Sequence, residues 1–160
     1  MPLTSRAFVK ASIICLCLGA ILGALLFINR LVPLGPRVAA LRVSHIQLLI
    51  VGWLTQLILG VAWWLFPPLK TGLLSGDPAR ARRGQAQRGS EPLLWATFVC
   101  LNAGVLLRSL FEPLFIWTQV PLFSMLAGMS GILLLVAAGA FAANMWGRLR
   151  ALGSPGSTHR

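Results

Sequence analysis

Charged residues fall in clusters along this chain, and long uncharged stretches separate them. None lies between Lys10 and Arg30, between His45 and Lys70, or between Glu112 and Arg148. A helix needs roughly 20 mostly apolar residues to cross about 30 Å of hydrocarbon. The pattern therefore predicts four spans, at 9–29, 43–66, 93–116 and 121–146. The apolar stretch after Glu112 divides at Gln119 to Pro121, where the sequence TQVP supplies a tight turn. The segment 69–91 becomes a polar loop rich in Gly, Arg and Pro, and 151–160 a polar tail. The expected architecture is all-α: an integral membrane four-helix bundle forming a single domain over residues 1–150. Arg6 and Lys10 ahead of the first apolar run also describe a secretory signal peptide. That run is longer than a usual signal core, so it is read as a retained helix.

Composition and charge refine this picture. Hydrophobic residues make up 57% of the chain and charged ones 11%, far from the balance of a soluble domain. With four spans, the N-terminus, the second loop and the C-terminus share a side. That side carries ten cations (Arg6, Lys10, Lys70, Arg80, Arg82, Arg83, Arg88, Arg148, Arg150, Arg160), and the other carries three, Arg30, Arg37 and Arg42. The excess places both termini in the cytoplasm of a bacterial inner membrane. The net charge of +11 then reports topology and contact with anionic lipid headgroups. No nucleic-acid-binding module accompanies it.

The second run, RVSHIQLLIVGWLTQLILGVAWWLFPP, opens with a histidine. At about 100° per residue, Leu49, Gly52, Gln56, Gly60 and Trp63 all lie within about 60° of His45 on a helix. A histidine at membrane depth with glycines along its face can hold a flat macrocycle against the helix. At 1.5 Å per residue, Arg108 falls roughly 22 Å along the third span, with Glu112 one turn beyond, so both share the outer layer of His45. Ionisable groups at that depth are costly and face the protein interior or a cavity. Two readings compete. In the first, Arg108 and Glu112 neutralise each other as an i,i+4 pair, and His45 bonds a neighbouring carbonyl. In the second, His45 ligates haem iron while Arg108, with Arg42 or Arg37, neutralises the propionates through arginine–carboxylate pairing. A proton relay through Glu112 lacks any acidic continuation toward the other side.

Arg42-x-x-His45, Gly52-Trp53, Gln56, Gly60, Trp63 and the exit Phe66-Pro67 together resemble the haem–copper oxidase catalytic subunit superfamily. The likeness is to short four-helix relatives of the oxidase and nitric-oxide reductase large subunit. Asn102, Gly104, Arg108, Glu112 and Pro113 are similar to the following helix of those proteins. The resemblance implies low-spin haem b held by His45, with Gly52 and Gln56 on the cofactor face. It also implies that this chain matches one of the family's three four-helix arcs. A homo-oligomer follows, a dimer or trimer, with a redox protein or a quinone as electron partner. The resemblance stops short of the oxygen-reducing centre. That centre needs further histidines and a tyrosine, whereas this chain has two histidines, one of them His159 in the tail, and no tyrosine. Oxygen reduction by the chain alone is not expected. The second axial ligand would be the same histidine of another copy, or Met125 or Met129, whose ordinary use is packing. The alternative function is a cofactor-free accessory or assembly protein of an oxidase or denitrification complex.

Other features read as structural. Cys15, Cys17 and Cys100 lie in spans without CxxC spacing. Gly19/Gly23 and Ser124/Gly128 form small-xxx-small pairs suited to close helix packing, including subunit contacts. Trp63, Trp64, Trp95 and Trp146 fall near one boundary and Trp117 near the other, as in an interfacial belt. Gln56, Asn102 and Asn144 are candidates for interhelical hydrogen bonds.

Overall fold

Each long uncharged run forms a helix. The computed structural model describes residues 1–66 and 90–152, with side chains as far as Trp146. The first span is the helix Leu3–Leu31. The second span starts as a short helix, Pro36–Ala40, bends at Leu41, and continues as Arg42–Gln47, a π-helical segment Leu48–Thr55, and Gln56–Leu65. The third span is Glu91–Thr118 and the fourth Pro121–Leu152. There are no strands among the described residues. All four spans are long and apolar enough to cross a membrane. Most of the predicted loop 69–91, and the tail beyond Leu152 with His159, lie outside the described residues.

Local sequence sets the helix ends. Ser90 caps the third span, its hydroxyl accepting from Leu93 N at 3.4 Å, with Pro92 and Glu91 in the first turn. That span ends at Gln119, which takes the left-handed conformation (φ 58°) and makes the turn into Pro121. The first span starts at Leu3, ahead of its apolar run, because its polar opening is packed rather than solvated. Thr4, Ser5, Phe8, Ser12, Cys15 and Gly19 form its buried face, at largely helical spacing.

Small residues decide how the spans meet. A Cβ at Gly60 would lie 2.7 Å from Phe8 Cβ, and one at Gly52 would lie 2.8 Å from Cys15 Sγ. Gly19 packs against Leu49, and Gly23 against His45. The first two spans are therefore antiparallel and in close contact. Gln56 Nε2 donates to Asn102 Oδ1 at 3.2 Å, tying the second span to the third. Gly104 receives Leu134 of the fourth span, while Phe111 and Phe123 stack 5.8 Å apart. Asn144 accepts from Ser90 N and donates to Ser90 O, both at 2.9 Å, closing the third and fourth spans at the opposite end. The interhelical roles expected of Gln56, Asn102 and Asn144 are thus seen.

Pro113, buried within the third span, explains one further contact. A helical proline has no N–H for the carbonyl four residues earlier. That carbonyl belongs to Ser109, and the Ser44 hydroxyl donates to it at 2.6 Å.

The π segment keeps one stripe of the second span inward. Ser44, Leu48, Gly52, Gln56 and Gly60 are all buried, at intervals of four residues. On an α-helix a four-residue repeat overshoots a full turn by about 40° each time. The π turn, bonded i→i+5, rotates less per residue and cancels that drift. Thr55 supports it by donating its hydroxyl to Ile50 O, five residues back, at 2.9 Å.

Phe8, Trp63, Leu94 and Met145 form the core cluster near the N-terminal end, with Cys15, Leu48 and Val105 forming another further along. Trp63, expected in an interfacial belt, is instead 2% exposed, because the stripe that buries Gly60 carries it into this cluster. Its neighbour Trp64 faces outward, as do Trp117 and Trp146.

Gly60→Leu should destabilise the protein by about 1–3 kcal/mol through overpacking against Phe8. Gly139→Leu should not, since a Cβ there meets nothing within 4 Å. Unfolding in mixed micelles checks the contrast, and equal stability of the two variants would contradict the close approach.

Candidate functional site

His45 sits in the first turn after the bend at Leu41, its backbone N–H bonded to Leu41 O at 2.9 Å. Its Nδ1 lies 2.8 Å from the Gly19 carbonyl. A carbonyl oxygen only accepts, so Nδ1 carries the proton and donates. In the neutral ring the lone pair then belongs to Nε2. A Cβ at Gly23 would lie 2.7 Å from Cε1, so the missing side chain is what lets the ring lie on the first span. The residue is half-buried. The Gly19/Gly23 pair was expected to pack helices closely, and it does so against the second span of its own chain.

Ser44 and His45 point to different neighbours. Adjacent helical residues diverge by about 100°. With Ser44 bonded to the third span, His45 turns to the first. Gly52 and Gln56, expected on the face toward a cofactor, are committed to the interior. Gly52 meets Cys15 and Val105. Gln56 is fully buried and donates to Asn102, whose Nδ2 donates to Phe98 O at 2.8 Å. The Phe98 carbonyl fixes the direction of this chain and leaves Gln56 Oε1 as a buried acceptor without a partner.

Arg108 and Glu112 form the i,i+4 pair, Nε to Oε2 at 3.0 Å. Together with Phe115, Ser124, Ala127 and Gly128 they line an open recess of about 270 Å³ between the third and fourth spans. The Ser44–Ser109 bond places His45 and Arg108 in a common layer, as their sequence depth implied. They nevertheless face different neighbours, His45 the first span and Arg108 the fourth. Sequence depth carries no information about azimuth, so this separation had no signal in the sequence.

Arg37 and Arg42 are exposed. The Arg37 carbonyl accepts from Trp117 Nε1 at 3.0 Å, and a groove of about 490 Å³ lined by Arg37, Val38, Leu41, Trp117 and Thr118 runs beside it. Met125 and Met129 are 68% and 54% exposed on the fourth span. Among the described residues no three His, Cys, Asp or Glu side chains come together as a metal cluster. The three cysteines are free.

No family model, no curated protein and no solved structure matches this chain.

The tautomer of His45 is directly measurable. Nitrogen-15 histidine spectra of the solubilised protein, taken with the imidazole in its neutral form, should show the Nδ1–H tautomer for the ring in the membrane domain. Gly23→Val should shift it toward the Nε2–H form by pushing the ring off Gly19. A wild-type spectrum dominated by Nε2–H would refute the assigned bond.

Proposed function

We propose that this chain is a multi-pass membrane protein that binds haem b through His45, for electron transfer or haem-based sensing in a bacterial respiratory membrane. The carbonyl-anchored imidazole carries the reading. Metal-ligating histidines characteristically donate their other ring N–H to a carbonyl or carboxylate, which fixes tautomer and orientation. His45 has this arrangement toward Gly19, with the lone pair of Nε2 on a half-buried ring. The donor chemistry therefore fits haem iron, which His45 would hold through Nε2. Bound there, haem would supply a reversible one-electron centre.

The chain's own residues would act around that ligand. Gly19 holds the proton on Nδ1, and Gly23 makes room for the ring. Arg42, one turn before His45, and Arg37 are the exposed cations available to propionates. Arg108 is less suited, since Glu112 already engages it. Met125 and Met129 project outward from the fourth span, so as second ligands they suit another copy of the chain. That copy could equally offer its own histidine, consistent with a homo-oligomer. The distribution of Lys and Arg supports cytoplasmic termini. Two histidines and no tyrosine argue against an oxygen-reducing centre.

One observation favours a cofactor-free accessory role instead. His45 and Arg108 each have a protein partner already, at Gly19 and Glu112, so neither requires a ligand to be tolerated in the membrane.

An oxidised and dithionite-reduced optical spectrum of the purified protein separates these readings. The haem reading expects a sharp reduced b-type α-band that His45→Ala abolishes while helical circular dichroism is retained. A colourless wild type expressed with added haem, or stoichiometric haem retained in His45→Ala, would sink it in favour of the accessory role.

A further inference from the structure

We infer that the open groove between the short helix Pro36–Ala40 and the end of the third span is a docking site for an anionic phospholipid, with its phosphate on Arg37 and an acyl chain along the apolar wall. The site does not include His45, Gly19 or Gly23, and it does not rest on haem being present. Arg42, outside the groove, remains available to propionates in the function proposed above.

The groove, of about 490 Å³, is lined by Arg37, Val38, Leu41, Trp117 and Thr118. One bond joins its two sides: Trp117 Nε1 donates to the Arg37 carbonyl at 3.0 Å. A helix of five residues is too short to be stable through its own backbone bonds, so this tie helps hold Arg37 beside the end of the third span. With its N–H committed to the carbonyl, the remainder of the Trp117 indole is apolar surface, and the residue is 40% exposed. Val38 and Leu41 continue that wall.

Charge decides the kind of lipid. Arg30, Arg37 and Arg42 fall within 13 residues that contain no acidic side chain, and all three are exposed. Among the described residues the only carboxylate side chain at this end of the bundle is Glu112, which engages Arg108. Cations without a counter-charge at a span boundary attract lipid phosphate, and a guanidinium can pair with it through two N–H groups. A zwitterionic lipid also brings a quaternary ammonium group, which an excess of arginine repels. Net-anionic headgroups are thereby favoured.

Depth and shape separate a lipid from a free phosphate ion. The second span begins at Pro36 and the third ends at Thr118, so the groove lies where hydrocarbon gives way to headgroups. Tryptophan is enriched at that level. The open side of the groove lets a lipid enter from the bilayer. A free phosphate would leave Val38, Leu41 and Trp117 unused, whereas a phospholipid covers both the charge and the wall.

The test is photo-crosslinking in phosphatidylcholine nanodiscs containing a trace of phosphatidylglycerol with a diazirine near its headgroup, followed by peptide mapping. Labelling should concentrate on residues 37–41 and 117–118. It should exceed labelling by a phosphatidylcholine probe of the same design about tenfold. Arg37→Gln should lower the phosphatidylglycerol labelling about tenfold, as loss of a charge-assisted pairing does. Because Arg37 is exposed, this variant should fold normally. Arg30→Gln, equally exposed but outside the groove, should label like the wild type, and so should His45→Ala. Equal labelling by the two probes would overturn the proposal by showing an unselective lipid contact. An equal loss in Arg30→Gln and Arg37→Gln would also overturn it, since that marks diffuse attraction to a cationic surface. Loss of labelling in His45→Ala would tie the groove to the haem seat and sink its independence. Cross-links between copies of the chain in place of lipid would assign the groove to a second copy instead.

Discussion

The carbonyl of Ser109 is the point on which the arrangement of this bundle turns. Within a hydrocarbon layer no water is available to satisfy a backbone group, so an orphaned carbonyl requires a protein donor. Pro113 creates the orphan and Ser44 supplies the donor, at 2.6 Å. Together with the Gln56–Asn102 bond, this contact registers the second span against the third in height and rotation. With Ser44 held toward the third span, His45 is directed at the first, where Gly19 and Gly23 receive it. The proline, the serine, the histidine and the glycine pair form one connected set of constraints, although they come from three different helices.

The π segment extends that constraint down the rest of the second span. Without it, the four-residue stripe would wind away from the core, and Gly52, Gln56 and Gly60 could not all lie inward with Ser44 above them. Each of those three positions is occupied by a residue suited to its depth. Gly52 and Gly60 admit the first span at distances that a side chain would prevent. Gln56, between them, bonds the third span and carries a buried amide oxygen left unsatisfied. The second span thus forms the hub against which the first and third are registered, while the fourth attaches to the third through Gly104, Phe111 and Asn144.

Much of this was legible in the sequence because hydrophobic run length reports helix number directly. The four spans, the turn at Gln119, the glycine pair and the three amide side chains could all be read from residue type and spacing. The structure departs from that reading where helical phase matters. A uniform 100° per residue hid the π segment, and with it the inward stripe of Ser44 and Leu48. The same uniform phase placed Gly52 and Gln56 with His45 on one cofactor face, whereas they line helix interfaces below it. Trp63 shows a related limit: its distance along the span suggested the membrane boundary, but its azimuth took it into the core.

The two polar centres at the far end from the N-terminus share a physical logic. Each has a protein partner close in space: His45 bonds a backbone carbonyl, and Arg108 is neutralised by Glu112. The contact runs through Nδ1 in one case and Nε in the other. Both side chains are half-buried or partly exposed. Local satisfaction makes these groups tolerable in an apolar bundle without any ligand, which explains how the fold can stand alone. A ligand at either centre would meet a group already oriented by the protein, and the bonds to Gly19 and Glu112 would stay in place beneath it. Without a ligand, the same bonds and the ring's seat on Gly23 make both centres part of the packing between spans.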